Sequence, residues 1–508
     1  MQRNYKIKEI EEVVEALASV RAENKKIVHC HGVFDLLHIG HIRHFEQAKG
    51  LGDVLVVTVT PDKYVNKGPH RPVFNEDLRA EAIAALECVD YVGVNRWPTA
   101  VETIQLLRPD FYAKGPDYRE AEKDRTGGIT LEEAAIKSVG GRLAITDGIT
   151  FSSSNIINRE MSVFPKEVSD YLADFSARHS ADDVLRYLER AQSLKVLVVG
   201  EAIIDEYQYC ETIGKSGKEP VLVARYINNE KFAGGILAVA NHVAAFSDQV
   251  GMVTFLGVSD SQEDFIREKV NVKIDKMFLY KDDAPTIVKR RFVEVYPFQK
   301  LFELYVMNDG EDNAYHSQAL SNKLREVLPK YDVVIVTDYG HGMLGPEAID
   351  VLCSQARFLA VNTQINASNH GFNTVSKYHR ADYICISENE IRLETRSRRR
   401  DLRDIVVEVA EKLSCGQIVI TRGQQGCLCY DEEGGFFDVP AFAVRVVDRI
   451  GAGDAVLSVT ALCVAQKAPT EIVGFIGNAV GAQTVATVGN RTAIEPVALS
   501  KHIESLLK

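Results

Sequence analysis

The sequence predicts two α/β domains, each built around a parallel sheet. Apolar strand-like runs alternate with amphipathic helical stretches from residue 7 to residue 146, and the alternation starts again at residue 195. This alternation is typical of parallel strands joined by crossover helices. A chain of 508 residues is expected to form two or three domains. We therefore expect a first domain at 1–165, a helical linker at 166–192 and a second domain at 193–508.

Each element follows from its local pattern. Amphipathic periodicity predicts helices at 7–20, 75–87 and 100–107. Short apolar, β-branched runs predict strands at 26–30, 54–59, 91–94, 110–113 and 142–146. The second alternation opens with the strand KVLVVG and continues through VVIVTDYG, RFLAVN, YICIS and QIVITRG. Between the two, Asp182 and Asp183 stand where the N-cap of the helix VLRYLERA is expected.

Composition narrows the class of protein. Hydrophobic residues make up 46% and charged residues 26%, which is typical of a soluble globular protein. The net charge of −12 argues against a nucleic-acid or anionic-membrane partner. No apolar run is long enough for a membrane span, so the expected location is the cytoplasm. Nine cysteines without a CxxC pair indicate neither a disulfide framework nor a structural zinc site.

The first candidate site is the turn GVFDLLHIGH, which follows a strand and opens a helix at residues 32–41. His38 and His41 are three residues apart, so both rings can point the same way on a helical turn. Gly40 leaves room for a phosphate to approach the backbone, and the helix N-terminus favours an anion. Two imidazoles can donate hydrogen bonds to charge that develops on an α-phosphoryl group. Alone, a pair of histidines at a helix start is more often a cap.

This run resembles the cytidylyltransferase-like nucleotidyltransferases, which carry the pattern at the end of their first strand. With KGPHRPVFNEDLRAEAIAALECVDYV, KGPDY and FSSSNIINR further along, residues 1–160 look like the nucleotidyltransferase half of the bifunctional enzymes of ADP-heptose synthesis. The resemblance implies a Rossmann-like nucleotidyltransferase domain with a parallel sheet.

The same resemblance implies residue roles. Lys114 precedes Gly115 at a strand end, where ligands of open α/β sheets bind, and would act with His38 and His41 in catalysis. Asp35 would bind substrate or, equally, cap the turn. The residues implied in nucleotide binding are Val33, Phe34, Gly40, Lys67, Arg71, Ser152, Ser153 and Ser154.

The second candidate site is the stretch DRIGAGDAVLSVTALCVA, which starts at Asp448. Gly451 and Gly453 would form a tight loop whose N–H groups bind a phosphoryl group in transfer. Asp454, at the start of the helix, could accept the proton of a substrate hydroxyl. A lone GxGD is more often a simple helix cap.

This stretch resembles the signature of ribokinase-like sugar kinases. GEAIIDEY, AGG, TDYGHGML, SENE and TRGQQG occur in that family's order over residues 195–508, and the region looks most like the heptose-phosphate kinase half of the same bifunctional enzymes, with the two domains in reversed order. The resemblance implies a ribokinase-like α/β domain with a small β lid. It makes Asp454 the catalytic base, Asp205, Gly234 and Gly235 substrate-binding residues, and Glu390 a ligand of Mg²⁺ through water. The nucleotide would be bound by Thr421, Gly423, Gly426, Gly451, Gly453 and Asn478.

Four positions depart from the pattern of the kinase family. Ala238 stands three positions after the double glycine, where the family often has Asn. Gln364 ends a strand where a lysine is usual, Ser387 replaces an Asn, and Ile450 replaces the Thr before the glycine loop. The base and the glycine loop are kept, so we expect an active kinase with an acceptor other than the usual heptose 7-phosphate.

The function expected from the sequence is bifunctional. A kinase would use ATP and Mg²⁺ to phosphorylate a sugar or sugar phosphate, and a nucleotidyltransferase would join the sugar 1-phosphate to a nucleotide from ATP or CTP. The alternative is a nucleotidyltransferase whose C-terminal half only binds or dimerises. A dinucleotide-dependent oxidoreductase is disfavoured because no GxGxxG follows the opening strand of either domain. The expected partners are small molecules and a second copy of the chain, joined through lid strands at 221–226 and 287–296.

Overall fold

The computed structural model describes residues 5–65, 72–115, 128–147, 164–282, 284–308, 314–367 and 369–507. The chain divides into two compact units, residues 1–165 with 504–506, and residues 166–503 with 507. Both units have α/β architecture, as the sequence predicts. None of the helices in the described ranges has the length and hydropathy needed to cross a membrane.

One parallel sheet organises the first unit. Its strands are β1 (Ile27–Gly32), β2 (Val54–Val59), β3 (Tyr91–Val94), β4 (Phe111–Lys114) and β5 (Arg142–Ile145). They pair in the order β3-β2-β1-β4-β5, and every pair is parallel. The order of the strands reverses between β1 and β4, so the carboxyl ends of these two strands flank the switch point where open α/β sheets bind ligands.

Helices cover the first sheet. They are α1 (Ile10–Ala22), α2 (Ile39–Lys49), α3 (Glu76–Ala84), α4 (Val101–Leu107) and α5 (Gly128–Ser138), with a 3-10 turn at Asp62–Tyr64. The buried faces of α2 and α3 pack with β1 and β2 in one apolar cluster. The helix expected at 75–87 is shorter than predicted, since it ends at Ala84. Its start is close to the predicted one, and the Asn75 side chain caps it by accepting the N–H of Leu78.

A large sheet organises the second unit. Its strands are β6 (Lys195–Gly200), β9 (Gln249–Gly257), β10 (Ile274–Lys281), β13 (Val333–Asp338), β14 (Leu359–Thr363), β15 (Tyr383–Ser387), β16 (Gln417–Thr421), β17 (Cys427–Asp431) and β18 (Gly435–Val439). The order is β10-β9-β6-β13-β14-β15-β16-β17-β18, with only the last two pairings antiparallel among these strands. The strands predicted from KVLVVG onward all lie in this sheet.

A separate four-stranded sheet forms the lid. Its strands are β7 (Ala202–Lys215), β8 (Leu222–Gly235), β11 (Ile287–Glu294) and β12 (Gln299–Val306), in the order β12-β11-β7-β8. The segments expected at 221–226 and 287–296 therefore fall in lid strands. The AGG segment at residues 233–235 ends β8 and pairs there with β7.

The helices of the second unit begin with α6 (Lys166–Arg178) and α7 (Ala181–Arg190). The others are α8 (Ile236–Phe246), α9 (Glu263–Lys269), α10 (Ala314–Val327), α11 (Pro346–Gln355), α12 (Glu388–Glu394), α13 (Leu402–Leu413), α14 (Ala452–Ala465), α15 (Thr470–Thr484) and α16 (Pro496–Leu506), with 3-10 turns at Ala191–Ser193, Leu328–Lys330, Val375–Lys377 and Gly423–Gln425. The N-cap of α7 is Ser180 and not Asp182 or Asp183. Asp183 instead occupies the third helical position and completes a capping box with Ser180.

Candidate active sites

The two histidines of the first candidate site lie together at the start of α2. His38 is its N-cap residue, and the rings of His38 and His41 stack with their centroids 3.9 Å apart. Nδ1 of His38 accepts a hydrogen bond of 3.1 Å from the N–H of Gly40. Burial lowers the pKa of His38, so its ring is neutral at pH 7 and carries its proton on Nε2. Nε2 of His38 has no hydrogen-bond partner among the described residues, which leaves it as a donor for a ligand.

Arg79 holds the loop between β1 and α2 in place. This side chain is fully buried, and it donates to the carbonyl oxygens of Val33 (2.6 Å), Thr60 (2.8 Å) and Phe74 (2.9 Å). Phe34 adopts a positive φ of 50° and packs its ring against His41 and Phe45. The backbone of this loop is therefore held in place, while the Phe34 ring belongs to the core.

Asp35, within the same loop, connects it to the backbone at Val73 and Phe74. Its buried carboxylate accepts hydrogen bonds from the N–H groups of Val73 (2.8 Å) and Phe74 (3.2 Å). Of the two roles expected for Asp35, this geometry fits the turn-bracing role, because both oxygens already have backbone donors.

Lys114 ends β4, next to the carboxyl end of β1. Its ammonium forms a buried ion pair of 2.8 Å with Glu132 on α5 and lies 5.2 Å from the centre of the Tyr112 ring. Glu132 also accepts a hydrogen bond from the N–H of Ala100. The position of Lys114 matches the expected strand-end site, and Glu132 is the residue that holds it there.

Two buried histidines, His29 and His31, lie on β1. His29 and His31 both hydrogen-bond to the Thr58 hydroxyl, at 2.7 and 2.9 Å. Burial lowers the pKa of His31 to about 3, so it stays neutral and acts as a structural polar group. The other expected residues of this site lie outside the described residues: Lys67, Arg71, Ser152, Ser153 and Ser154.

The centre of the second candidate site is Asp454, which is buried in the first turn of α14. Its Oδ1 accepts a hydrogen bond of 2.6 Å from Nε2 of Gln364. Burial raises the pKa of Asp454 to about 7, and the nearby charges of Asp205 and Glu390 act in the same direction. Across the described ranges Asp454 makes no ion pair. A carboxyl group poised near neutrality can take a proton from a hydroxyl.

Asp205 faces this site from lid strand β7. Its carboxylate forms an ion pair with Arg291 and lies 3.4 Å from Nδ2 of Asn490. A Cβ atom at Gly234 would lie 2.2 Å from Oδ2 of Asp205, so only glycine leaves room for the carboxylate. Gly235 follows with a positive φ of 55°, and a Cβ there would lie 2.6 Å from the carbonyl oxygen of Glu201.

The glycine loop precedes α14. Gly451 is the N-cap residue with a φ of 81°, a left-handed conformation that favours glycine. A Cβ at Gly451 would lie 1.9 Å from Oδ1 of Asn490, whereas a Cβ at Gly453 would meet nothing within 4 Å. Asn490 therefore lies between the loop and Asp205, and its Oδ1 is buried without a hydrogen-bond partner in the described part of the chain.

Glu390, the expected Mg²⁺ ligand, starts α12. Its carboxylate accepts the N–H of Ser387 at 2.7 Å and that of Ile365 at 3.4 Å, and with Ser387 it forms a capping box. Burial raises the pKa of Glu390. No group of three or more metal-ligating side chains occurs within the described ranges. A Mg²⁺ ion held by waters and substrate phosphates needs only one or two carboxylates, so the residues present fit that kind of binding.

The residues expected along the nucleotide lie at one end of the large sheet. Thr421 ends β16, and the turn after it uses positive φ angles at Gly423 (58°) and Gly426 (80°). A Cβ at Gly426 would lie 2.0 Å from the carbonyl oxygen of Val439. Asn478 on α15 donates to Sγ of Cys427, which pairs with Thr421 across the two strands.

Lys289 is a buried cation that the sequence analysis missed. It lies on β11 in register with Asp205, and only 8% of its surface is exposed. Its ammonium lies 5.1 Å from the centre of the Tyr305 ring and 6.0 Å from that of Tyr339, with no ion pair or hydrogen bond within the described residues. Burial lowers the pKa of Lys289. The sequence did contain a signal for it, because Lys289 and Arg291 are two positions apart on a predicted lid strand and therefore point to the same face.

The fold and the glycine-loop site define a carbohydrate kinase. Residues 193–497 match the pfkB family carbohydrate kinase model, and the chain belongs to this family. Residues 29–159 match the cytidylyltransferase-like model. These matches confirm the two-domain α/β fold and the two family resemblances predicted from the sequence.

Two curated relatives and one solved structure illustrate the similarity. The chain is 38% identical over 168 residues to the bifunctional protein HldE of Citrifermentans bemidjiense, covering 31% of this chain and 32% of that protein. It is 40% identical over 142 residues to HldE of Aliarcobacter butzleri, covering 27% and 29%. The chain thus spans about a third of the length of these relatives. Phosphofructokinase-2 of Escherichia coli, in complex with fructose-6-phosphate, matches with a TM-score of 0.50 and 15% identity over 62% of this chain and 100% of that one, and it shows the same fold.

Proposed function

We propose that this chain makes a nucleotide-activated sugar in two steps. The second unit phosphorylates a sugar or sugar phosphate with ATP, and the first unit transfers a nucleotidyl group from ATP or CTP to the sugar 1-phosphate. The observation that carries the proposal is Asp454, a buried carboxyl group with a pKa near 7 and no ion pair within the described ranges, beside a left-handed glycine loop.

In the kinase step, Asp454 takes the proton of the acceptor hydroxyl. The freed oxygen attacks the γ-phosphorus of ATP, the bond to the β-phosphate oxygen breaks, and ADP leaves. The N–H groups of the loop at Gly451 and Gly453 stabilise the charge on the transferring phosphoryl group. Glu390 is the carboxylate that would hold a hydrated Mg²⁺, and the ion would neutralise charge on the phosphates.

In the nucleotidyl step, the sugar phosphate itself is the nucleophile. One of its oxygens attacks the α-phosphorus of the nucleotide, and pyrophosphate leaves with the electrons of the broken bond. His38 donates from Nε2 to the phosphate oxygens as charge develops there. The His41 ring stacks on that of His38, and Lys114 ends β4 at the switch point of the sheet.

The alternative function keeps only the nucleotidyltransferase and treats the kinase unit as a binding or dimerisation module. An inactive descendant would have no need for a carboxyl group that is buried without an ion pair, since such a group is costly. The substituted residue Gln364 also keeps a direct hydrogen bond to Asp454. Both features favour an active kinase.

Lys289 supports an acceptor that carries an anionic group. A buried ammonium without an ion pair is unfavourable unless a ligand supplies the opposite charge. Lys289 lies in register with Asp205, the residue expected to bind the sugar hydroxyls. A sugar phosphate would satisfy both residues, one through its phosphate and one through its hydroxyls.

The proposal also includes a homo-oligomer formed through the lid. Several apolar lid side chains are more than half exposed, including Leu222, Tyr226 and Phe302. An exposed apolar sheet face of this kind marks an interaction surface, and we expect light scattering of the full chain to give the mass of a dimer or larger assembly. A monomeric mass at micromolar concentration would contradict this part.

The test of the proposed function uses the full chain and a panel of sugars and sugar phosphates. ADP release reports the kinase, and pyrophosphate release with each of the four nucleoside triphosphates reports the transferase. Asp454→Asn is expected to lower kinase turnover by about 10²–10⁴ and to leave ATP binding and pyrophosphate release intact. His41→Ala is expected to abolish pyrophosphate release and to leave kinase turnover intact. If the wild type phosphorylates no acceptor of the panel but still releases pyrophosphate, the result would favour the alternative function, a nucleotidyltransferase with an inactive kinase unit.

A further inference from the structure

His44 is a histidine of the first unit that has no part in the proposed chemistry. It lies on α2, three residues after His41, and the centroid of its ring is 6.5 Å from that of Phe34. The Phe34 ring also contacts His41, with the centroids 5.5 Å apart. His44 therefore belongs to the same group of rings as the histidines of the turn.

A chain of two hydrogen bonds fixes the proton of His44. The hydroxyl of Thr146, directly after β5, lies 3.2 Å from the carbonyl oxygen of Lys114 at the end of β4. A carbonyl oxygen can only accept, so the hydroxyl donates to it and accepts the bond of 2.8 Å from Nδ1 of His44. His44 therefore carries a proton on Nδ1.

The other ring nitrogen of His44 is a hydrogen-bond acceptor. Burial lowers the pKa of His44 to about 4, and the charge of Lys114 acts in the same direction, so the ring is neutral at pH 7. Nε2 then carries a lone pair, and it makes no hydrogen bond within the described part of the chain. A group with so low a pKa is a poor general base near neutrality, so the lone pair is suited to accepting a hydrogen bond and not to removing a proton.

The histidines of α2 therefore offer opposite polarities. His38 accepts the N–H of Gly40 at Nδ1 and presents Nε2 as a donor, whereas His44 presents Nε2 as an acceptor. A phosphate oxygen carries lone pairs and negative charge, so the lone pair of His44 repels it. A hydroxyl group has a proton to donate and fits this nitrogen. Both substrates of the proposed nucleotidyl transfer carry hydroxyl groups close to their phosphates.

We propose that Nε2 of His44 accepts a hydrogen bond from a substrate hydroxyl, on the acceptor sugar or on the ribose of the triphosphate, and that His44 thereby contributes to the specificity of the first unit. The inference rests on the proposed nucleotidyltransferase function. Phosphate recognition then belongs to His38 and Lys114, and hydroxyl recognition belongs to His44, which Thr146 holds in the required tautomer.

Two amide substitutions separate this role from a purely structural one. The amide of asparagine can take the place of Nδ1 of a histidine, and the amide of glutamine can take the place of Nε2. His44→Asn therefore keeps the donor to Thr146 and loses the acceptor, whereas His44→Gln keeps the acceptor and loses the bond to Thr146. If His44 only connected α2 to the end of β5, asparagine would be the better replacement. If it binds a hydroxyl, glutamine is the better one.

The first arm of the test concerns the ribose. The kcat/KM for pyrophosphate release is measured with ATP or CTP, whichever supports the reaction, and with its 2′-deoxy and 3′-deoxy forms. If a ribose hydroxyl is bound, the wild type and His44→Gln should prefer the hydroxylated nucleotide by about tenfold or more. His44→Asn should lose this preference, because it should use the hydroxylated nucleotide no better than the deoxy form.

The second arm concerns the acceptor. The sugar phosphate that supports pyrophosphate release is compared with its singly deoxygenated analogues at saturating triphosphate. A loss of preference in His44→Asn, with preference kept in His44→Gln, assigns the bound hydroxyl to the sugar. Equal preference in all three proteins in both arms would overturn the inference, and so would preference that asparagine keeps and glutamine loses.

Nitrogen-15 NMR of histidine-labelled protein observes the same group without turnover. We expect His44 in the Nδ1–H form, with an Nε2 resonance that shifts when the substrate carrying the hydroxyl is added and not with its deoxy analogue. A wild type that shows this tautomer and this shift but releases no pyrophosphate would contradict the proposed function and not the inference. An Nε2–H form, or an Nε2 resonance that no triphosphate or sugar phosphate of the panel shifts, would overturn the inference.

Gln47→Ala is the matched control. Gln47 lies three residues after His44 on α2, and its Oε1 accepts the N–H of Asp147 at 2.8 Å. The variant weakens the contact between α2 and the segment after β5 but leaves the His44 ring in place, so the substrate preference should be unchanged. A loss as large as that of His44→Asn would assign the effect to the helix contact and overturn the inference.

Should His44→Asn fail to fold, Thr146→Val replaces it. Without the hydroxyl, Nδ1 of His44 loses its acceptor, and the proton is no longer held on that nitrogen. We expect the preference for the hydroxylated substrate to fall, while the rate with the deoxy analogue stays close to that of the wild type. A folded Thr146→Val with the full wild-type preference would overturn the proposal.

Discussion

Gln364 and Asp454 are joined by a hydrogen bond of 2.6 Å between Nε2 and Oδ1, although they lie 90 residues apart in the chain. The amide donates to the ionised form of the carboxyl group and so opposes the rise in its pKa that burial causes. The pKa of Asp454 remains at about 7, which places the ionisation of the proposed base in the physiological range.

Gln364→Lys is expected to move the pH dependence of the kinase. A base must be ionised, so the rate should be low below pH 7 and reach a plateau above it. A cation in place of the amide lowers the pKa of Asp454, so the half-maximal pH should fall by about one unit or more. Gln364→Met removes the donor and should move it upward. The measurement is kcat against pH for the three proteins, and a common midpoint would argue against Asp454 as the titrating base.

Gly451→Ala is expected to disable the kinase through the backbone. The residue has a φ of 81°, and the new Cβ would lie 1.9 Å from Oδ1 of Asn490. Strain of this kind costs about 1–3 kcal/mol, and the Asn490 side chain must also be displaced from its position beside Asp205. We expect ADP release to fall by about a hundredfold, with a lower melting temperature. Gly416→Ala is the matched control, because a Cβ there meets nothing within 4 Å. Equal losses in the two variants would contradict the explanation.

Local pattern predicts the elements of this protein well. The strands at 54–59 and 91–94 have the predicted bounds, because apolar β-branched runs between polar turns leave little choice of period. The glycine loop, the histidine turn and Asp454 were found because each motif is contiguous. The domain boundaries and residue roles inferred from the resemblance remain predictions.

The partners of these residues were missed for a physical reason. Glu132, Arg79 and Asn490 act on residues that are distant in sequence, and each sits in a helix or turn with no unusual local pattern. The sequence fits two roles for Asp35 equally well, binding the substrate or holding the turn, and only its two backbone donors distinguish them. The N-cap of α7 was misplaced by two to three residues, because Ser180 and Asp183 are both good capping residues and only the backbone geometry separates them.

Lys289→Met tests whether the acceptor carries an anionic group, because it is expected to weaken binding of anionic acceptors only. The buried ammonium lies in register with Asp205 and lacks an ion pair within the described residues. A hydrogen bond to a charged group contributes about 1.5–3 kcal/mol, so the KM for a phosphorylated sugar should rise about tenfold to a hundredfold. A neutral sugar should bind equally well to both proteins, which makes it the internal control. An unchanged KM for every anionic acceptor would remove the support for a sugar phosphate.

The last prediction separates the chemical and structural roles of Lys114. Its ion pair with Glu132 is 2.8 Å long, and both side chains are less than a tenth exposed. Glu132→Gln leaves the ammonium without its counter-charge, and breaking one partner of a buried pair costs about 3–5 kcal/mol. We therefore expect a lower melting temperature of the first unit and less pyrophosphate release. Kinase turnover in the second unit should be unchanged.

The double variant Lys114→Met/Glu132→Leu distinguishes the two roles. Replacing a buried ion pair by apolar side chains of similar volume is often neutral or stabilising, so the melting temperature should return to that of the wild type. Pyrophosphate release should stay low, because a methionine cannot neutralise phosphate charge. Recovery of both stability and activity would show that Lys114 serves the fold alone, whereas recovery of stability without activity assigns its ammonium to the nucleotidyl step.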